Sequence, residues 1–159
     1  MLEIPDLLKK ILYKRNIKNE DIRKFLFPSL NDVLEPSKIF NIDRATEEII
    51  KSIEKKEKLF IYGDGDIDGI GGVFFIIKFL LDKNIKFGYY LTHRLDDYEI
   101  EEELVDYLLK ENYKIIILID CGISSHNFLK KCSENNIKVI VIDHHQVDIE
   151  NLPHGPIYI

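Results

Sequence analysis

Four short apolar runs, at 59–62, 87–91, 115–119 and 139–142, alternate with segments of helical periodicity, and three of the four stop at Gly or Asp. A half-solvated antiparallel strand alternates apolar with polar residues; a parallel strand covered on both faces is apolar throughout. These runs are of the second kind. Between them, Val73, Ile76, Ile77 and Leu80 fall at i, i+3, i+4 and i+7. Ile100, Leu104, Tyr107 and Leu108 mark another helix, and Phe128, Leu129 and Cys132 a third, capped by Ser124. Ahead of the first run, Ile42, Ala45, Ile49 and Ile53 form one face of an amphipathic helix, with Glu47, Glu48, Lys51 and Glu54 opposite. Residues 156–159 begin a fifth strand. The expected fold class is therefore α/β: a Rossmann-like parallel sheet of about five strands with helices on both faces.

A short helical segment precedes this unit. Leu7, Leu8, Ile11 and Leu12 repeat at helical spacing behind Pro5, which suits a first turn. A second helix is predicted over 19–27, capped by Asn19 and stopped by Pro28. The division expected is a leader over 1–41 and an α/β domain over 42–159. With 159 residues, 45% hydrophobic and 31% charged, the chain has globular composition. Lys and Arg number 22 against 28 Asp and Glu, for a net charge of −6. That excludes a basic nucleic-acid coat but not a nucleic-acid enzyme whose acidic site is neutralised by cations. Cys121 and Cys132 read as free thiols of a reducing compartment. No uncharged run is longer than that of 69–77, which is far short of the ~20 residues of a membrane span. The N-terminus has no basic leader followed by an apolar core. The expected location is the cytoplasm, with no membrane partner.

In parallel sheets, function collects beyond the carboxyl ends of the strands. The first strand is followed by Gly63-Asp64-Gly65-Asp66-Ile67-Asp68-Gly69, the third by Asp120-Cys121-Gly122, and the fourth by Asp143-His144-His145. Any one of these Asp residues could be a turn former or helix cap. As a set, five carboxylates brought to one edge would repel one another without a cation. Asp oxygens with one or two imidazoles suit Mn²⁺ or Mg²⁺, and the chain has too few Cys for a thiolate-rich zinc site. If the loop stays extended, Asp64, Asp66 and Asp68 share one side. The loop is not a calcium-binding EF-hand, because its twelfth position is Phe75 rather than Glu. Nor is it a dinucleotide fingerprint: Gly63, Gly65 and Gly69 have the wrong spacing.

These three motifs, in this order, resemble the DHH phosphoesterase superfamily, and within it the RecJ family of single-strand-specific 5′→3′ DNA exonucleases. The segment 25–43, with its Pro-Ser-Leu, is similar to the RecJ leader. The resemblance implies that Asp64, Asp66, Asp120 and His144 are metal ligands. Asp143 would support the site from behind or ligate directly, and His145 would face the scissile phosphate. Asp68 would be a supporting residue or the cap of a helix beginning at Gly69. It implies a two-metal hydrolysis with Mn²⁺ or Mg²⁺ acting on single-stranded DNA. His93-Arg94 matches a family pair, and Arg94 would bind phosphate. The continuation Asp96-Asp97-Tyr98-Glu99 departs from the family pattern and reads as a solvated helix start. His126 and His154 read as ordinary polar residues, and Cys121 as a small turn residue.

Family members carry a further Asp ligand downstream and a second domain that closes over the cleft. The expectation is that this chain is an N-terminal piece, weak or inactive alone, completed by a downstream domain or a companion chain, with apolar surface left exposed. If it proved active alone, Asp68 or Asp148 would be the first substitutes for the missing ligand. Two alternatives stand beside the exonuclease: a DHH enzyme for short oligonucleotides or cyclic dinucleotides, and a non-catalytic scaffold of the same fold.

Overall fold

The computed structural model describes residues 4–93, 99–146 and 149–159. The chain divides into two compact units, 1–38 and 39–159. In the first, α1 (Asp6–Lys14) buries Leu12, whereas Leu7 and Ile11 are exposed. Helix α2 is shorter than expected, Ile22–Leu26, and begins after Asp21. Asn19 is not its cap; its side-chain oxygen accepts a hydrogen bond from the Tyr13 hydroxyl.

The second unit holds α3 (Ile42–Glu54), β1 (Lys58–Gly63), α4 (Ile67–Asp82), β2 (Phe87–Leu91), α5 (Glu103–Lys110), β3 (Tyr113–Ile119), α6 (His126–Glu134), β4 (Lys138–Ile142) and β5 (Ile157–Tyr158). Asn41, placed in the leader by the sequence, belongs here: its amide donates to the Tyr158 carbonyl at 2.9 Å. The five strands form one parallel sheet in the order β2-β1-β3-β4-β5.

Strand side chains alternate between the two faces, and each face has its own core. Phe60, Ile116, Leu118, Val139 and Val141 pack with Val105 and Leu108 of α5 and Phe128, Leu129 and Cys132 of α6. Leu59, Ile61, Ile115, Ile117, Ile119 and Ile140 pack with Ala45, Ile49 and Ile53 of α3 and Val73, Ile76, Ile77 and Leu80 of α4. Continuous apolar strands were thus required because both faces are covered. At the amino end of β4, Lys138 ties sheet to helix. Its Nζ lies 2.8 Å from Glu48, 2.9 Å from Glu57 and 3.3 Å from the hydroxyl of the fully buried Ser52.

In α5 Leu108 is buried and Leu104 half-buried as expected, Val105 joins them, Ile100 reaches the same core from ahead of the helix, and Tyr107 is partly exposed with its ring against Phe60 and Tyr113. Helix α6 follows Ser125, not Ser124, and takes no side-chain cap; the buried Ser125 hydroxyl instead accepts from the Ile100 N–H at 2.9 Å. The edge strand β2 is not sealed, for Tyr89 and Tyr90 are exposed. The outer side of α4 likewise presents Ile67, Phe74, Phe75 and Leu81 to solvent.

Candidate metal centre

The strand order reverses at β1: the chain moves from β1 to β2 on one side, then returns to β3 on the other. Ligand sites in such sheets form where the carboxyl ends of the two strands flanking the reversal part. Here those ends are Gly63 and Ile119, and the residues beyond them are Asp64 and Asp120. Backbone hydrogen bonds hold the exits in register: Asp64 N–H to Ile119 O at 3.1 Å, Asp120 N–H to Ile142 O at 2.8 Å, and Thr92 N–H to Gly63 O at 3.0 Å.

Asp120 adopts the left-handed region, with φ 59°. Asp tolerates that region because its short polar side chain can bond locally. The residue is buried. Its pKa is raised above the ordinary Asp value, first by burial and next by the charge of Asp66, against the opposing pull of His144 and His145. Such a carboxylate is short of cations. Its Oδ1 lies 3.1 Å from His144 Nε2.

Two donor groups meet at Asp120. Ligand atoms of Asp64, Asp66 and Asp120 lie within 4.8 Å of one another, and so do those of Asp120, His144 and His145. All four expected metal ligands, Asp64, Asp66, Asp120 and His144, are therefore brought together, with His145 beside them. Asp68 is in neither group. The reason is local. The loop does not stay extended but enters α4 at Ile67, where Asp66 is the N-cap. Asp66 Oδ1 accepts from the N–H of Asp68 at 2.9 Å and of Gly69 at 3.1 Å. Asp66, not Asp68, caps the helix, and Asp68 sits exposed in its first turn. His126 and His154 belong to neither group. Arg94, the acidic run at Asp96 and Asp97, and Asp148 lie outside the described residues.

The glycines of the first motif serve close approach. A Cβ on Gly69 would stand 2.3 Å from the Asp64 carbonyl oxygen, and one on Gly65 would stand 2.1 Å from that of Thr92. Only hydrogen at these positions lets the loop fold onto α4 and β2.

Asp143 turns inward. Its side chain is 1% exposed. Oδ2 accepts from the Ile123 N–H at 3.1 Å; Oδ1 accepts from the His145 N–H at 3.0 Å and lies 2.7 Å from His145 Nδ1. Burial raises its pKa, but the two backbone donors and the imidazole outweigh it and hold the group below the ordinary Asp value. The hydrogen bond to Asp143 in turn raises the His145 pKa, with burial opposing. Both Asp143 oxygens thus accept hydrogen bonds from within the fold. With Nδ1 committed, Nε2 is the nitrogen His145 can offer outward. The two histidine rings stack with centroids 4.8 Å apart. A cavity of about 310 Å³ opens beside them, lined by Asp120, Cys121, Gly122, Ser124, Asp143 and His145. The Cys121 thiol is pushed up to about 12, first by burial and then by Asp143.

Thr92 is the site residue that the sequence reading missed. Its hydroxyl donates to Asp64 Oδ1 at 2.8 Å and accepts from the Gly65 N–H at 2.8 Å. The available signal was its position, first after a strand at the carboxyl edge.

The parallel sheet thus gathers Asp and His donors at its reversal point. The family model for the DHH family, N-terminal domain, matches residues 58–158, and the chain belongs to that family. It is 28% identical over 147 residues to the single-stranded-DNA-specific exonuclease RecJ of Bacillus subtilis, covering 91% of this chain and 19% of that protein. A crystal structure of exonuclease RecJ bound to manganese matches with TM-score 0.69 at 25% identity, over 79% of this chain and 33% of that one. The fold also matches RecJ in complex with Mn²⁺ from Thermus thermophilus, with TM-score 0.66 at 20% identity, over 92% of this chain and 20% of that one. The chain spans about a fifth of the length of the first of these relatives. Among the described residues, no helix is long and apolar enough to cross a membrane.

Proposed function

We propose that this chain supplies the cation-binding half of a RecJ-type phosphodiesterase that hydrolyses single-stranded DNA from the 5′ end with Mn²⁺ or Mg²⁺. The observation that carries this reading is the sharing of the buried Asp120 between two donor groups, one of carboxylates and one with two imidazoles. That donor set is oxygen-rich, includes neutral nitrogen and contains no thiolate, which fits Mn²⁺ or Mg²⁺. Asp64, Asp66 and Asp120 would hold one cation, and Asp120 with His144 a second.

Bound cations supply water activation and charge neutralisation at phosphorus. The chain's own residues do the rest. Asp66 keeps its orientation because it caps α4, and Asp64 because Thr92 grips it. Asp143 fixes His145 through Nδ1 and leaves Nε2 facing outward, toward the position of a phosphate oxygen. The polarity and the preference for single strands rest on the likeness to RecJ. With net charge −6 the chain offers few phosphate contacts of its own. We assign substrate grip to a further domain or companion chain, and expect feeble turnover without it.

The test is Mn²⁺ titration followed by thermal unfolding. At 100-fold excess over the dissociation constant, binding stabilises the fold by about 2.7 kcal/mol. Asp66→Asn retains a good capping side chain, so losing the shift there reports on ligation rather than on α4. His144→Ala should lose it too, and Asp6→Asn in α1 should not. Equal shifts in all three variants refute the assignment. No shift in the wild type favours the scaffold reading.

A further inference from the structure

Three carboxylates stand within reach of one cation, and each needs something to hold it against the repulsion of the others. Asp66 is held by the amides of α4, and Asp120 by burial and its own backbone conformation. Asp64 is held from outside its motif. Thr92, the first residue after β2, contacts three consecutive residues, the last of β1 and the first two of the loop. Its N–H donates to Gly63 O, its hydroxyl donates to Asp64 Oδ1, and that same hydroxyl accepts from Gly65 N–H. The direction of the Asp64 bond is fixed: the Gly65 N–H brings its own proton, so the single hydroxyl proton goes to the carboxylate. The Thr92 carbonyl then lies so close over Gly65 that no side chain fits between.

We propose that Thr92 is a positioning residue for cation binding. Its hydroxyl fixes the rotamer of Asp64 and occupies one side of Oδ1, presenting Asp64 ready-oriented toward the position shared with Asp66 and Asp120. The assignment rests on the metal site proposed above. It adds that the edge strand β2, which contributes none of the proposed cation ligands, sets the affinity of the site. Partners that orient metal ligands are worth roughly 10–100-fold in affinity when removed.

The experiment measures the Mn²⁺ dissociation constant of the whole chain by calorimetry or by the paramagnetic signal of free Mn²⁺, beside melting in EDTA. Thr92→Val keeps the shape and removes the hydroxyl; Thr92→Ser keeps the hydroxyl. The expected result is a dissociation constant raised roughly 10–100-fold in Thr92→Val and restored close to wild type in Thr92→Ser. Should Thr92→Val not fold, Thr92→Ala introduces no new bulk and answers the same question. A Thr92→Val protein that melts lower in EDTA yet binds Mn²⁺ like the wild type shows a role in loop packing alone and overturns the proposal. A wild type that binds no Mn²⁺ overturns the metal site itself, and this assignment with it.

Discussion

Replacing Asp143 by Asn tests the inward carboxylate most directly. The side chain is 1% exposed and accepts at both oxygens. An Asn carbonyl placed at Oδ1 keeps the His145 N–H and ring, but as neutral rather than charge-assisted bonds. Its NH₂ group then faces the Ile123 N–H, donor against donor, at the former 3.1 Å contact. Leaving one buried donor unsatisfied costs about 1–3 kcal/mol, and weakening two charged bonds adds about 1 kcal/mol. The sum is about 3 kcal/mol. At about 2–4 °C per kcal/mol for a protein of this size, Tm should fall by about 6–12 °C. The assay is thermal unfolding by circular dichroism in EDTA, so that cation binding plays no part. Asp68→Asn, at an exposed position, is the control and should stay within about 2 °C. The pH dependence has a definite sign. The pKa of Asp143 is lowered, so its contribution is present above the unfolded value of about 3.8 and is lost as pH falls through the folded one. The pKa of His145 is raised, so its contribution is present below about 6.5 and is lost as pH rises through the folded value. The gap between wild type and Asp143→Asn should therefore be widest between roughly pH 4 and 6.5. An Asp143→Asn protein that melts with the Asp68→Asn control, at every pH, refutes the inward placement.

Two further outcomes follow from contacts already described. Gly65→Ala would place a Cβ 2.1 Å from the Thr92 carbonyl oxygen; the loop or the end of β2 must shift, lowering stability by roughly 1–3 kcal/mol in a denaturant melt and weakening Mn²⁺ binding in the same titration. Cys121 and Cys132 are buried, with thiols pushed up to about 12. A disulfide reagent at pH 8 should leave both unmodified in the folded chain and label both on unfolding; fast labelling of native protein would contradict the packing at Cys132.

Much of this was legible in the residues. The runs that became β1, β3 and β4 were apolar at nearly every position because both faces of the sheet are covered. The carboxyl ends were marked because a chain leaving a buried strand must turn, and Gly and Asp turn cheaply. That placed Asp64, Asp66, Asp120, Asp143, His144 and His145 at one edge. The extended reading of 64–68 failed at Asp66, because periodicity says nothing of which carboxylate the first amides of a helix will capture. Apolar side chains at the edge strand β2 and on the outer side of α4 remain exposed.

What the sequence alone determined is which segments are strands and what chemistry stands at their ends. Only the tertiary structure decided which ends meet. Parallel strands pair through backbone hydrogen bonds that every residue but proline can make, so the order β2-β1-β3-β4-β5 is written in no side-chain period. That order sets β1 beside both β3 and β2, bringing Asp64 within reach of Asp120 on one side and under the hydroxyl of Thr92 on the other. It is also packing that turned Asp143 inward and His145 outward, two residues apart on one strand exit, because only the inward carboxylate finds the N–H of Ile123 waiting for it.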